Sequence, residues 1–204
     1  MIERKIVVPL GFFAALLALW QLACALRLWP SYIFPSPVEV GVSMADGFVD
    51  GTFPRAILGS FKRLAIGYGI SMAVGIPLGL LLGRARWAQK TVGTLVLGLQ
   101  ALPSICWLPM AMLWFGLSDR SIVFVVVMGA LMAISLTTAD GVKNTPPIFV
   151  RAANTLGARG FYLYSRVIFP AALPAIVSGL KLGWTFAWRS LMAGELLYVT
   201  VGLG

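Results

Sequence analysis

Apolar runs about as long as a lipid bilayer is thick recur along this chain, and they limit its fold more than any motif does. A helix needs ~20 apolar residues to cross the hydrocarbon. Runs of that order cover 6–26, 56–83, 91–116, 122–139 and 171–197. Inside lipid every backbone polar group must be satisfied within the structure, so these runs are read as α-helices. Only 11% of the 204 residues are charged, against roughly 25% in soluble domains. The expectation is an all-α integral membrane protein, a single transmembrane domain over 1–204.

The first run is too long for a cleaved leader and continues into Arg27-Leu28-Trp29-Pro30, an interfacial end, so it is read as a retained span. Between it and the second run, Ser36 and Pro37 stand as N-cap and first residue of a short amphipathic helix. The second run carries Gly67, Gly75, Gly79 and Gly83, small residues that let helices approach where hydrophobicity cannot drive association. Pro77 predicts a bend in it. Pro103 and Pro109 interrupt the third run and predict a broken or kinked helix.

The formal net charge is +9. The basic residues sit between apolar runs, with no basic stripe interleaved with aromatics, so nucleic-acid binding is not expected. Arg4, Lys5, Arg84, Arg86, Lys90, Lys143, Arg151, Arg159 and Arg166 fall on one side if the N-terminus is cytoplasmic, against Arg27, Arg55 and Arg120 on the other. That bias predicts an N-terminus inside. Cys24 and Cys106 lie in apolar runs and read as packing residues. Histidine is absent and no CxxC occurs, so no metal site or metal catalysis is expected.

Residues 140–170 form the most informative polar stretch. Thr145-Pro146-Pro147 is a helix start. Val150, Ala153, Gly157, Phe161, Tyr164 and Ile168 recur at helical spacing and predict one apolar face, with Arg151, Thr155, Arg159, Tyr162 and Arg166 on another. Gly157-Ala158 predicts a corner between two short helices, because glycine is unfavourable by about 1 kcal/mol in a helix interior. Physics admits two uses for such a corner: a knob docking on a soluble partner, or a helix lying on anionic lipid head groups.

The run Arg151-Ala152-Ala153-Asn154-Thr155-Leu156-Gly157-Ala158, with Ile168-Phe169-Pro170 and Leu173-Pro174 after it, resembles the signature loop of bacterial ABC-importer permeases. That loop is written Glu-Ala-Ala, a spaced Gly, and a later Ile-x-Leu-Pro. Arg151 stands where the family has glutamate, which leaves the steric role with Ala152, Ala153 and Gly157. Pro35-Ser36-Pro37, Gly75-Ile76-Pro77-Leu78-Gly79, Leu108-Pro109, Trp114-Phe115-Gly116, Gly179-Leu180-Lys181 and Glu195-Leu196 are similar to the nitrate, sulfonate, taurine and bicarbonate branch.

The resemblance implies a type I ABC-importer permease fold in a bacterial inner membrane, with a sixth span, absent here, after the Gly-Leu-Gly at 202–204. It implies a coupling loop over 143–169 in which Arg151, Ala152, Ala153, Leu156, Gly157, Ala158, Phe161 and Pro170 meet an ATPase. The implied partners are two ATPase subunits, a second permease copy as a homodimer, an extracytoplasmic substrate-binding protein and membrane lipid. ATP and Mg would belong to the ATPase, and the chain itself carries no GxxxxGK[ST] loop. It is therefore expected to be a transport subunit and not an enzyme.

Charges within a span point to function by default. Lys181, Trp184, Trp188 and Glu195 share one stripe of the last run, with Arg189 beside it. Trp184, Trp188, Arg189 and Glu195 are candidates to line a path for a small anion, a sulfonate such as taurine ahead of nitrate or bicarbonate. The competing expectation pairs Arg189 with Glu195 structurally or lets them snorkel. An ATP-independent transporter or channel is the alternative class; it would need buried paired carboxylates, and Glu195 is the clear single candidate.

Overall fold

A computed structural model describes residues 2–26, 30, 33–198 and 202–204. The interfacial end expected at Arg27 and Trp29, and the Arg4 and Lys5 side chains used for orientation, lie outside what is described.

All regular structure among the described residues is helical. Helix α1 is Ile2–Ala25, α2 Pro37–Val49 and α3 Thr52–Arg84. Helix α4 runs from Arg86–Ala88 through a wide π turn at Gln89–Gly93 into Thr94–Gln100. Helix α5 opens with the tight turn Ser104–Trp107 and continues as Leu108–Phe115. Helix α6 is Asp119–Lys143 and α7 Pro147–Thr155. Helix α8 starts at Gly160–Leu163, widens into a π turn at Tyr164–Ile168 and runs on as Phe169–Tyr198. Among the described residues four helices are long and apolar enough to cross a membrane, and the α4–α5 pair brings the number to five if it counts as one span.

The chain divides into two compact units, Met1–Arg55 and Ala56–Gly204. In the first, the Trp20 indole donates to the Pro35 carbonyl at 3.1 Å. Helix α2 begins as its sequence predicts. The Ser36 hydroxyl accepts from the Glu39 N–H, the Glu39 carboxylate accepts from the Ser36 N–H at 2.7 Å, and Pro37 follows in the first turn.

The second unit is built around α6, which is apolar on all sides and has α3 on one flank and α8 on the other. Leu64, Ile122, Val126, Ala130, Ile134, Ala187 and Leu191 form its central cluster, all fully buried. In lipid such packing depends on close van der Waals contact, since lipid tails are as apolar as the side chains. Glycines make the approach possible. A Cβ at Gly67 would sit 2.7 Å from Val126, and one at Gly83 2.5 Å from Val142. On the other flank Gly183 faces Ile134 in the same way, at 2.6 Å.

The expected break in the third run is present, with only one of its two prolines at the break, and the start of the last helix moves. The third run is bent by 98° at residues 101–103. Pro103 marks that break, whereas Pro109 sits in the first turn of Leu108–Phe115, where a missing N–H is harmless. The helix that carries the last span begins at Gly160, well before 171, so the second half of the polar loop is the foot of α8.

Candidate functional site

The turn between α6 and α8 is held from within. The Thr145 hydroxyl donates back to the Gly141 carbonyl at 3.1 Å, and Pro147 starts α7. Helix α7 stops at Leu156 because Gly157 turns left-handed, at φ +83°, a conformation that L side chains rarely adopt. The Ala158 N–H then returns to the Ala153 carbonyl at 2.9 Å. Gly160, at φ +55°, launches α8. Ala153 and Ala158 face inward and pack with Leu163, Ile168, Val142, Ala172 and Ile176.

Two glycines in sequence reset the helical phase. The single apolar face expected through Val150, Ala153, Gly157, Phe161, Tyr164 and Ile168 is therefore interrupted. Val150, Ala153, Tyr164 and Ile168 do pack inward, but Phe161 points out, 86% exposed. Leu156 beside the corner is 87% exposed, and Ile148 and Phe149 on α7 are exposed as well. The result is an apolar tip on a glycine corner. Arg151, Ala152 and Pro170 are also exposed. Among the described residues Arg151, Arg159 and Arg166 have no carboxylate partner.

Sequence reasoning missed what anchors the corner to the spans. The Tyr164 hydroxyl donates to the Leu80 carbonyl of α3 at 3.1 Å, and the Arg84 guanidinium lies over the Tyr164 ring, 5.9 Å from its centre. The foot of α8 is thereby tied to α3. The tyrosine was visible in the sequence, but its partner lies 84 residues away.

The four path candidates on α8 do not converge. Trp184 and Trp188 lie on the side facing α3: Trp184 packs edge-on against Tyr68 at 5.3 Å, and Trp188 against Phe61 at 5.7 Å. Glu195 continues that stripe and is fully buried. It accepts from the Arg63 guanidinium at 2.8 Å, from the Ser60 hydroxyl at 2.7 Å and from the Leu203 N–H at 2.9 Å. Arg63 in turn donates to Asp119 at the start of α6, also at 2.7 Å. The expected Arg189–Glu195 pairing is thus corrected: the partner of Glu195 is Arg63, contributed by α3.

Arg189 points to the other side of α8, into a cavity of about 340 Å3 where α4 breaks from α5. The Ser104 and Ser190 hydroxyls, 2.7 Å apart, tie the restarted helix to α8 next to it. Because the Ser190 hydroxyl also lies 2.7 Å from the Phe186 carbonyl and donates to it, Ser104 is the donor between the two serines. Among the described residues no cluster of three or more metal-ligating side chains occurs.

Among the described residues the chain is thus all-helical, with several helices long enough to span a membrane and a glycine-cornered loop between α6 and α8. Residues 75–204 match the family described as "Binding-protein-dependent transport system inner membrane component", and this chain belongs to that family. A putative ABC transporter permease of Methanocaldococcus jannaschii is 32% identical over 198 residues, covering 95% of this chain and 74% of that protein. The taurine transport system permease of Escherichia coli is 27% identical over 208 residues, 100% of this chain and 76% of its own length. The nitrate import permease of a Synechocystis strain is 28% identical over 209 residues, 98% and 75% respectively.

Proposed function

We propose that this chain forms the translocation path of an ABC importer for a small anion, a sulfonate such as taurine ahead of nitrate or bicarbonate. Family membership supports the transport role, and the relatives named for taurine and nitrate support a sulfonate or nitrate cargo. The observation that carries the coupling is the corner itself. Leu156 and Phe161 are presented bare at its tip, while Ala153 and Ala158 are buried behind them. An exposed apolar tip rimmed by unpaired arginines fits a hydrophobic groove with acidic edges on a soluble partner.

In this reading 143–169 is the coupling loop, with Arg151, Ala152, Ala153, Leu156, Gly157, Ala158, Phe161 and Pro170 as its docking and shaping residues. The partner is an ATPase that holds ATP and Mg, present in two copies per importer with two copies of this chain. A binding protein delivers cargo from the opposite side. The N-terminus then lies in the cytoplasm.

The test is affinity purification in mild detergent from the native host, with co-purifying subunits identified by mass spectrometry. A stoichiometric ATPase is expected, and it is lost on Leu156→Asp, Phe161→Asp or Gly157→Arg while the chain keeps its elution volume. Retention of the ATPase by both aspartate variants overturns the coupling assignment.

A further inference from the structure

An arginine within a span is costly unless it has a partner or reaches water. Two arginines within the spans of this unit differ sharply in that respect: Arg63 is mostly buried, whereas Arg189 is exposed. Arg63 is held by Asp119 and Glu195. Arg189 has no ion pair or hydrogen bond among the described residues, yet it is the one formally charged side chain lining the cavity at the α4–α5 break. Glu195, the acid nearest in sequence, is already committed to Arg63. No carboxylate lines the cavity, so Arg189 makes it electropositive and its exposed guanidinium is open to an anion from outside the chain.

The rest of the lining sets the kind of anion. Gln100 adds an amide donor at the end of α4. Leu102, Met128 and Phe186 supply apolar wall, and apolar surface dominates the lining. At about 340 Å3 the space lies at the small end of the ~300–1,000 Å3 typical of small-molecule sites. A bare inorganic anion would leave the apolar wall unused; an anion carrying a short apolar tail covers both parts. The wall is held in place on three helices. The Ser104–Ser190 hydrogen bond joins α5 to α8 one residue from Arg189, and Gly129 of α6 packs directly on Ser190.

We propose that this cavity is a binding site for a short-chain organic sulfonate, its acid group on Arg189 and its tail against Leu102, Met128 and Phe186. The site deepens the importer reading, on which its role as a way-station for cargo rests.

The test replaces Cys24 and Cys106 by serine and introduces Ile105→Cys, at a position that lines the cavity. The rate of labelling by 2-sulfonatoethyl methanethiosulfonate is compared with that of the trimethylammonioethyl reagent, each normalised to a free thiol. The anionic reagent is expected to be favoured. Arg189→Gln should lower that preference about tenfold, equivalent to ~1.4 kcal/mol, while Arg189→Lys retains most of it; size-exclusion elution establishes that each variant is folded. Butanesulfonate should protect the cysteine at lower concentration than nitrate. A preference indifferent to Arg189→Gln overturns the site, and equal protection by nitrate overturns the tail. Labelling needs neither ATPase nor transport, so the two readings fail separately. ATP-driven import with Arg189-independent labelling sinks only this site, whereas Arg189-dependent labelling without ATP-driven import sinks only the importer.

Discussion

Arg63 on α3 donates to the fully buried carboxylate of Glu195 on α8 across 2.8 Å, and the same guanidinium reaches Asp119 at the head of α6. One cation thus fastens the three long helices of the second unit at one end. Removing one partner of a buried pair leaves an uncompensated charge and typically destabilises by about 3–5 kcal/mol. Arg63→Met and Glu195→Gln should each lower the melting temperature in detergent. The double variant should lose clearly less than the sum, because the two residues interact directly. Additive losses would show that the pair contributes nothing beyond its separate contacts.

Close approach of α3 to α6 predicts a contrast between two glycines of the same helix. A side chain at Gly79 would run into the Ser135 carbonyl and Thr138, while Gly69 has nothing within 4 Å. Gly79→Val is expected to destabilise by about 1–3 kcal/mol, the usual range for overpacking. Gly69→Val should leave the melting temperature nearly unchanged. Equal effects would mean that α3 and α6 do not pack along this stripe.

At the entrance to α3, the Thr52 N–H donates to the Asp50 carboxylate at 2.8 Å. That bond, with help from the Thr52 hydroxyl, holds the carboxyl below the usual carboxylate range. A depressed folded value means that the contribution is present above the unfolded pKa of about 3.9 and fades as pH falls through the lower value. Protection of the first-turn amides of α3, taken relative to intrinsic exchange at each pH, should therefore fall on acidification through that region. Asp50→Asn should remove the pH dependence.

The corner predicts a separation of stability from function. Gly157 sits at φ +83°, so Gly157→Ala forces a left-handed alanine and should destabilise locally by about 1–2 kcal/mol. Limited proteolysis between α7 and α8 reports it. Leu156→Ser removes only an exposed side chain and should leave the same cleavage rate unchanged.

Much of the fold was legible because the signals were local. Run length and hydropathy marked the spans, Ser36 and Pro37 marked the start of α2, and glycine at 157 marked the corner. What was not legible depended on geometry between distant segments. The apolar pattern through Phe161 assumed one continuous helical phase, and the left-handed residues at 157 and 160 broke it. Two prolines announced an irregular third span, but only packing shows that the chain turns by 98° at the first and treats the second as an ordinary helix start. Glu195 was correctly singled out as a charge within a span. Its nearest cation in sequence was Arg189, while its actual partner lies 132 residues away. The stripe of Lys181, Trp184, Trp188 and Glu195 is real, but it faces α3, leaving Arg189 alone on the side of the cavity.

The most direct test of the central claim is uptake by proteoliposomes carrying this chain with its co-purified ATPase and binding protein. Labelled taurine, and nitrate in parallel, should enter only with ATP on the ATPase side and binding protein on the other. Leu156→Asp should abolish entry while the chain remains folded. Uptake driven by a proton or sodium gradient without ATP, and unaffected by Leu156→Asp, would contradict the account and make the chain a secondary transporter.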